Sequence, residues 1–485
     1  MIGLPLVALL AGSVDTLVVG LLADPITLFP HRATDLVSQA VVVNVCETLV
    51  RQRDQEGRVE AALATSWATP DHRAWTFTLR EGVRFHDGAA LDADAVVANF
   101  ESLRRARGFP GTAERLGPLV VGLFLDRPNA ALLSTLSQPY YAMQSPRALS
   151  NEDTRAVGTG PFKLVTVHPG LIELEAQADY WGGAPRLHRV VLRRFAGEEV
   201  LVTALLSGEV DVTAALGPHR VDELRKRPEV SLDSFTGLSL AFLSVNNERP
   251  YLSDARVRQA LSRALDRHAL VTRFFGGHGD PARGPLPPSL LGRPGPIRHL
   301  LLDRPGAERL LGEAGLPKGL DTTLLTVDSP RPYMPAPILL GQELRDQLGA
   351  AGVRAAVTVV PSWSDYLARL TRGDYDLALL GWQADSTDPN DFLSALLSSE
   401  AIGTTNRSRY RNPTMEALLK RARRESDPRA REAVYREALE LFHKDMPFVP
   451  LYHVSVFTAY RRAVRGMAPG PTGLLRYDKT WKAER

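Results

Sequence analysis

Leu324-Leu325-Thr326-Val327, then Ile338, Leu340, Leu344 and Leu348, then Val353 to Val360, then Leu367 and Leu370, then Tyr375-Asp376-Leu377-Ala378-Leu379-Leu380 form the run from Asp321 to Asp385 that decides the fold. The first, third and fifth pieces are short and aliphatic or β-branched. The second and fourth repeat at helical spacing and stop at Gly352 and Gly373. This alternation predicts a β-α-β-α-β unit. Such a unit makes its strands parallel, with every carboxyl end on one edge of the sheet, where open α/β sheets hold their ligands. Two loops leave that edge: Asp328-Ser329-Pro330-Arg331-Pro332-Tyr333, and Gly381-Trp382-Gln383-Ala384-Asp385-Ser386-Thr387-Asp388-Pro389. A guanidinium and a carboxylate therefore emerge on one rim, each with an aromatic residue beside it. They suit a ligand with a charge at either end. Alternatively, Arg331 and Asp385 form a salt bridge with each other, or Asp385 and Asp388 cap the next helix. Asp388 stands directly before Pro389; it reads as a turn-former and is left out of the site.

Working outward, Leu238 to Asn246 is a nearly continuous apolar strand, and Ser253 is placed to cap a helix carrying Val257, Leu261 and Leu265. Gly276 to Pro296 is crowded with glycine and proline and reads as a long irregular loop. Asp427-Pro428 opens a helix that passes Phe442, and Met446 to Tyr452 follows as a strand. Toward the amino terminus, Asp15 to Leu22 is an initial strand and Ser38 to Val50 a helix. Trp75 to Leu79 is a strand, Phe85-His86-Asp87-Gly88 a turn, and Asp92 the cap of a helix through Phe100. Strand and helix segments continue at Leu171–Ala176, Val190–Phe195 and Leu205–Val212. Gly158-Thr159-Gly160-Pro161-Phe162 is rich in glycine, but it leads into a strand and lacks the Lys-Ser or Lys-Thr pair of a phosphate loop, which argues against a nucleotide site.

At 485 residues the chain exceeds one compact core. Hydrophobic residues at 44% and charged residues at 23% are those of a globular protein. The net charge of +3 is spread along the chain, so no nucleic-acid footprint is expected. The densest basic stretch, Lys420 to Arg431, reads as a solvated helical face. The lone cysteine, Cys46, ends the apolar run Val41 to Cys46 and is expected to be a small buried hydrophobe. His86 lacks neighbours at ligand spacing and reads as a turn residue; no metal and no cofactor is expected. Leu4 to Ala11 is short enough for a signal-peptide core, though no Lys or Arg precedes it, so residues 1–14 read as the remnant of a signal peptide and the chain as exported. Nothing else approaches the roughly 18 apolar residues of a membrane span.

Several landmarks together resemble the solute-binding proteins of peptide and nickel ABC transporters, extracellular solute-binding protein family 5. They are Trp75-Thr76-Phe77-Thr78-Leu79-Arg80 with Val83 to Gly88, Gly158 to Phe162, Val257-Arg258-Gln259-Ala260-Leu261, Asn406-Arg407-Ser408, and Pro447 to Tyr452. The resemblance implies an α/β clamshell of the periplasmic-binding-protein type II class, two main lobes joined by two crossover segments plus a third, smaller lobe. Residues 15–57 with 155–245 and 455–485 would be lobe I, 58–154 an inserted lobe II, and 246–454 lobe III. It also implies a ligand in an interlobe cleft, a periplasmic or extracytoplasmic monomer, and an inner-membrane permease with its ATPase subunits as partners. Around the site the dipeptide-binding members are most similar. Arg331-Pro332-Tyr333 matches their arginine for the peptide carboxylate, and Asp385 after Gly381-Trp382 matches their aspartate for the peptide amine. Three departures stand out: Ser-Thr-Asp follows Asp385, Cys46 replaces an aromatic residue, and no lipobox cysteine is present. They leave nickel chelates, haem, glutathione, opines and longer peptides open as ligands.

Such a protein performs no chemistry; it closes on a ligand by that ligand's differential affinity for the closed state. The competing class, an exported hydrolase, needs a nucleophile with a base. The chain has no Gly-x-Ser-x-Gly and no His-Glu-x-x-His, and Cys46 sits in an apolar run without a convincing histidine partner.

Overall fold

The computed structural model describes residues 13–52, 58–150, 155–290, 301–470 and 472–483. The apolar run at Leu4 to Ala11, read as a signal-peptide remnant, lies outside them, as does the end of the Gly276–Pro296 loop. The chain divides into two compact units, Met1–Phe235 with Val456–Arg485, and Thr236–Ser455. The crossings therefore fall at Phe235/Thr236 and Ser455/Val456, and the strand Ser239–Val245 belongs to the second unit.

In the second unit the β-α-β-α-β segment is Leu320–Val327, Pro337–Gly349, Val353–Val360, Trp363–Arg372 and Leu377–Gln383. Leu320–Val327 lies centrally, parallel to Val353–Val360 through Leu320↔Val353 to Val327↔Val360, and parallel to Leu377–Gln383 through Leu324↔Leu377. Ser239–Val245 adds antiparallel to Leu377–Gln383, and the strand Phe448–Arg461 pairs antiparallel beyond it. Burial explains the order. Leu377 to Leu380 are all buried, as a strand covered on both faces requires, whereas Val353–Val360 carries exposed side chains at the sheet edge. Leu340, Leu344 and Leu348 of the first crossover helix and Tyr366 and Leu370 of the second pack onto those strands. Ser362 caps the second helix by accepting from the Asp365 amide and donating to its carboxylate. Gly373 ends it at φ +78°.

Three details differ from the sequence reading. Asp254 rather than Ser253 caps the helix Ala255–Arg263, accepting from the Arg256 amide. The Gly276–Pro296 loop contains a short strand, Gly279–Pro281, paired with Phe448–Arg461. The third parallel strand continues through Gly381 and Trp382 to Gln383, so the loop begins at Ala384.

Two larger sheets frame the first unit among the described residues. Thr16–Leu21 runs parallel to Arg189–Arg194, which is followed by antiparallel Leu171–Ala176 and Phe162–His168. A four-stranded antiparallel sheet of Ala64–Ala68, Ala74–Leu79, Val120–Leu125 and Gly111–Gly117 packs against the helix Ala93–Arg107, whose Asp92 cap accepts from the Ala95 amide. The helix expected over Ser38–Val50 is Leu36–Val45. It stops because the next carbonyls are claimed from outside: Gly160 N bonds Val45 O, Leu63 N bonds Thr48 O and Ala64 N bonds Leu49 O.

The glycine-rich motif has its explanation at the same place. A Cβ on Gly158 would lie 2.2 Å from Val45 O and 2.5 Å from Cys46 Cα, so only glycine lets the two backbones meet. Beside it, Glu47 is buried and accepts from Thr159 Oγ1 (2.9 Å), Tyr180 OH (2.7 Å) and Trp181 Nε1 (2.8 Å). His86 Nε2 bonds Gly160 O at 2.9 Å, which fits a turn histidine. Cys46 is buried, and burial pushes its thiol far above the usual range, so it serves as a core side chain and not a nucleophile.

Candidate functional site

The carboxyl ends of the three parallel strands open into three segments of one rim. After Leu320–Val327, Asp328 N bonds Val360 O, and Arg331 and Met334 exchange backbone hydrogen bonds of 3.0 and 2.8 Å around Pro332-Tyr333. Proline suits the first corner of such a turn, and the buried Met334 anchors it. The Tyr333 ring then lies on Gly381, where an added Cβ would sit 2.1 Å from Cδ2 and 2.3 Å from Cε2. Gly381 is a strand residue whose missing side chain makes room for that ring. Burial raises the Tyr333 hydroxyl pKa, and the Arg331 charge opposes the rise.

Arg331 is mounted on aromatic side chains. Its guanidinium carbon lies 3.9 Å from the Trp363 ring centroid. Trp363 stacks on Tyr366, with centroids 5.7 Å apart and planes at 25°. Tyr366 OH donates to Leu379 O (2.6 Å) and Leu325 O (3.2 Å), which fixes the stack to the sheet. Arg331 Nε is buried without a hydrogen-bond partner, and among the described residues no carboxylate pairs with the guanidinium. The alternative that Arg331 and Asp385 form a salt bridge with each other is thereby corrected: the rim leaves this positive charge uncompensated.

Asp385 is exposed at the start of the turn, with its amide donating to Asp391 Oδ2 at 3.1 Å. Trp382 is half-buried, paired opposite Leu240, and carries a buried Nε1 without a partner. Strand alternation sends it to the face opposite Gly381 and Tyr333. The structure therefore seats the Tyr333 ring on Gly381, with Arg331 in the same turn, places Asp385 on the same edge, and turns Trp382 to the other side.

Asp388 does more than form a turn. It is buried and accepts from Arg431 Nη1 (2.6 Å) and Nη2 (2.9 Å), from Tyr435 OH (3.2 Å) and from Asn390 N (2.9 Å). The Lys420–Arg431 stretch is accordingly not wholly solvated, since Arg431 points inward to this pair. Asp391, missed in the sequence, is the other acidic member. Burial, then the charge of Asp385, raises its carboxyl pKa to about 6 against three opposing hydrogen bonds. Trp363 was missed as well, although it stands three residues after the end of Val353–Val360 and so belongs to this rim by the reasoning that found Arg331. None of these residues lines the recess of about 560 Å³ in the first unit, which is bordered by His86, Asp87, Lys163 and His168.

Residues 58–404 match the family model for bacterial extracellular solute-binding proteins, family 5. The chain belongs to that family. Di/tripeptide-binding protein 4 of Pseudomonas aeruginosa is 30% identical to this solute-binding protein over 475 residues, covering 90% of this chain and 89% of the relative. Heme-binding protein A of Haemophilus influenzae is 28% identical over 466 residues, covering 88% and 85%. Among solved structures, the periplasmic binding protein DppA of Helicobacter pylori in complex with the peptide STSA superposes with a TM-score of 0.78 at 29% identity, covering 97% of this chain and 98% of that one. The fold is thus the α/β type II periplasmic-binding-protein class, and the chain is a substrate-binding protein of the ABC-importer kind rather than a member of an enzyme family.

Proposed function

We propose that this solute-binding protein is exported to the periplasm, captures a di- or oligopeptide and delivers it to an inner-membrane permease, with the ligand amine at Asp385 and its carboxylate at Arg331. The observation that carries the reading is Arg331, an uncompensated guanidinium fixed on Trp363 at the rim that also presents Asp385. A partly buried cation without a carboxylate is costly. A ligand carboxylate removes that cost and makes the charged, two-pronged contact that arginine favours. Asp385 on the same rim fits a free ammonium, and Tyr333, in the turn that carries Arg331, lends the rim an aromatic surface. The peptide names of similar proteins support the same class. Haem, nickel chelates, glutathione and opines are the alternative ligands.

Calorimetry on ligand-stripped protein tests this with a dipeptide, its N-acetyl form and its C-terminal amide. Loss of either charged contact is expected to weaken binding by about 1.5–3 kcal/mol, roughly 10- to 150-fold. Equal affinity for all three overturns the two-pole reading. Heat from haem, a nickel chelate, glutathione or an opine without heat from any dipeptide replaces peptide with that ligand.

A further inference from the structure

Asp391 lies in the first turn of the helix Asn390–Leu397 and is half-buried. Its Oδ2 accepts from Asp385 N (3.1 Å), Ser386 N (3.0 Å) and Ser386 Oγ (3.3 Å). Among the described residues no Lys, Arg or His pairs with this carboxylate. The charged groups around it are few. Asp385 faces it from the turn. Asp388, at the entry to the same helix, is neutralised by Arg431 with Tyr435 of the helix Pro428–Asp445. Glu416 of the packed helix Pro413–Arg424 is engaged at the far end, on Ser398 and Ser399. Two acids therefore stand side by side, the half-buried one has no cation of its own among the described residues, and it holds the backbone of the other.

We infer that Asp391 is a positioning residue for the amine anchor: it fixes the turn that carries Asp385 and supplies a second negative charge to a bound ammonium, so that ligand uptake drives a proton from Asp391 into solvent. This rests on the reading of Asp385 as the site of the ligand amine. The step is an ionisation alone. The Asp391 O–H bond breaks, the proton passes to buffer, and the electron pair stays on the carboxylate, which keeps its three donors. Burial and the charge of Asp385 raise the carboxyl pKa to about 6, and a neighbouring ammonium favours its charged form. Below that pH the unliganded protein holds a proton that binding must displace, so affinity falls as pH falls. Between pH 7 and pH 5 the loss approaches about tenfold, because the ionised fraction drops from about 0.9 to about 0.1. Over this range a dipeptide keeps its ammonium and its carboxylate.

The test is calorimetry of a dipeptide at pH 7, 6 and 5, in pairs of buffers with different ionisation enthalpies, on the wild-type protein and on Asp391→Asn. The amide introduced by that change retains an acceptor oxygen for the three donors but cannot titrate. The wild type is expected to release about half a proton at pH 6 and about 0.9 at pH 5. Asp391→Asn is expected to bind more weakly at pH 7, release none and show a flat profile. A wild-type protein that prefers the free amine yet releases no proton and keeps one affinity from pH 7 to 5 overturns this inference and leaves the function standing. Asp391→Asn with an unchanged pH profile overturns it too. An N-acetyl dipeptide that binds as tightly as the free one removes the amine anchor itself, and the inference falls with it. Should Asp391→Asn fail to fold, the wild-type proton count decides alone.

Discussion

Replacing Gly381 with alanine puts a carbon 2.1, 2.3 and 2.7 Å from three atoms of the Tyr333 ring. Unbonded carbons rest about 3.5–4.0 Å apart, so the ring must retreat by roughly 1.4 Å or more. It has little freedom to do so. Its turn is closed by the Arg331–Met334 backbone pair and anchored by Met334, which is fully buried. Overpacking of this kind costs about 1–3 kcal/mol. If the overlap is the cause, Tyr333→Ala removes it. The Gly381→Ala/Tyr333→Ala variant is then more stable than the sum of the single changes by a similar amount. Urea denaturation followed by tryptophan fluorescence measures this, since Trp363 and Trp382 both lie in the unit concerned. Dipeptide affinity is expected to fall with Gly381→Ala as well, because the displaced turn carries Arg331. Single-variant costs that add within about 0.3–0.5 kcal/mol would mean no coupling, and the assignment of Gly381 as the seat of the Tyr333 ring would be refuted.

Two further predictions concern stability. Asp388→Ala strands the inward-facing Arg431 and is expected to cost about 3–5 kcal/mol, whereas Asp388→Leu with Arg431→Met recovers most of it; denaturation midpoints check this, and dipeptide affinity should move little if Asp388 is structural. His31 and His453 are buried, and desolvation lowers each pKa to about 4 from an ordinary 6.5. The unfolded chain therefore binds more protons between those values, and stability is lost as pH falls from about 6.5 to about 4, by up to about 3 kcal/mol per histidine. Melts of the wild type and of His31→Gln across that range check the slope, which is shallower in the variant.

The β-α-β-α-β unit was legible because apolar periodicity is local: Leu340, Leu344 and Leu348 mark a helix face, and Leu377 to Leu380 a doubly covered strand, without reference to anything distant. The rim followed from topology, and with it Arg331 and Asp385. Several of the failures came from a partner remote in sequence, although Asp391 and Trp363 were within local reach. Gly381 looks like the end of a strand until the Tyr333 ring is placed on it. Asp388 looks like a turn residue because Arg431 is 43 positions away, in a stretch whose composition reads as solvated. The Gly158–Gly160 landmark leads into the strand Phe162–His168 as expected, but its purpose, close approach to Val45 and Cys46, could not be read from those residues. Arg258 in the Val257–Leu261 landmark is similar. It is buried and gives its hydrogen bonds to the carbonyls of Leu252, Ser253, Asp445 and Met446, so a conspicuous cation in the sequence is a joint between chain segments.

The discontinuity of the first unit bears on the order of assembly. Thr236–Ser455 is one unbroken length of chain and holds all the strands of its own β-α-β-α-β core. The other unit needs residues from both sides of that length: Lys482 Nζ reaches Asp211 at 3.0 Å, and Asn44 Nδ2 donates to Leu475 O at 2.9 Å. Glu47, too, lacks two of its three donors until Tyr180 and Trp181 are in place. In a chain emerging amino terminus first, the unit that contains Thr16–Leu21 thus cannot be completed until the segment after Ser455 has been made, while Thr236–Ser455 can fold before it.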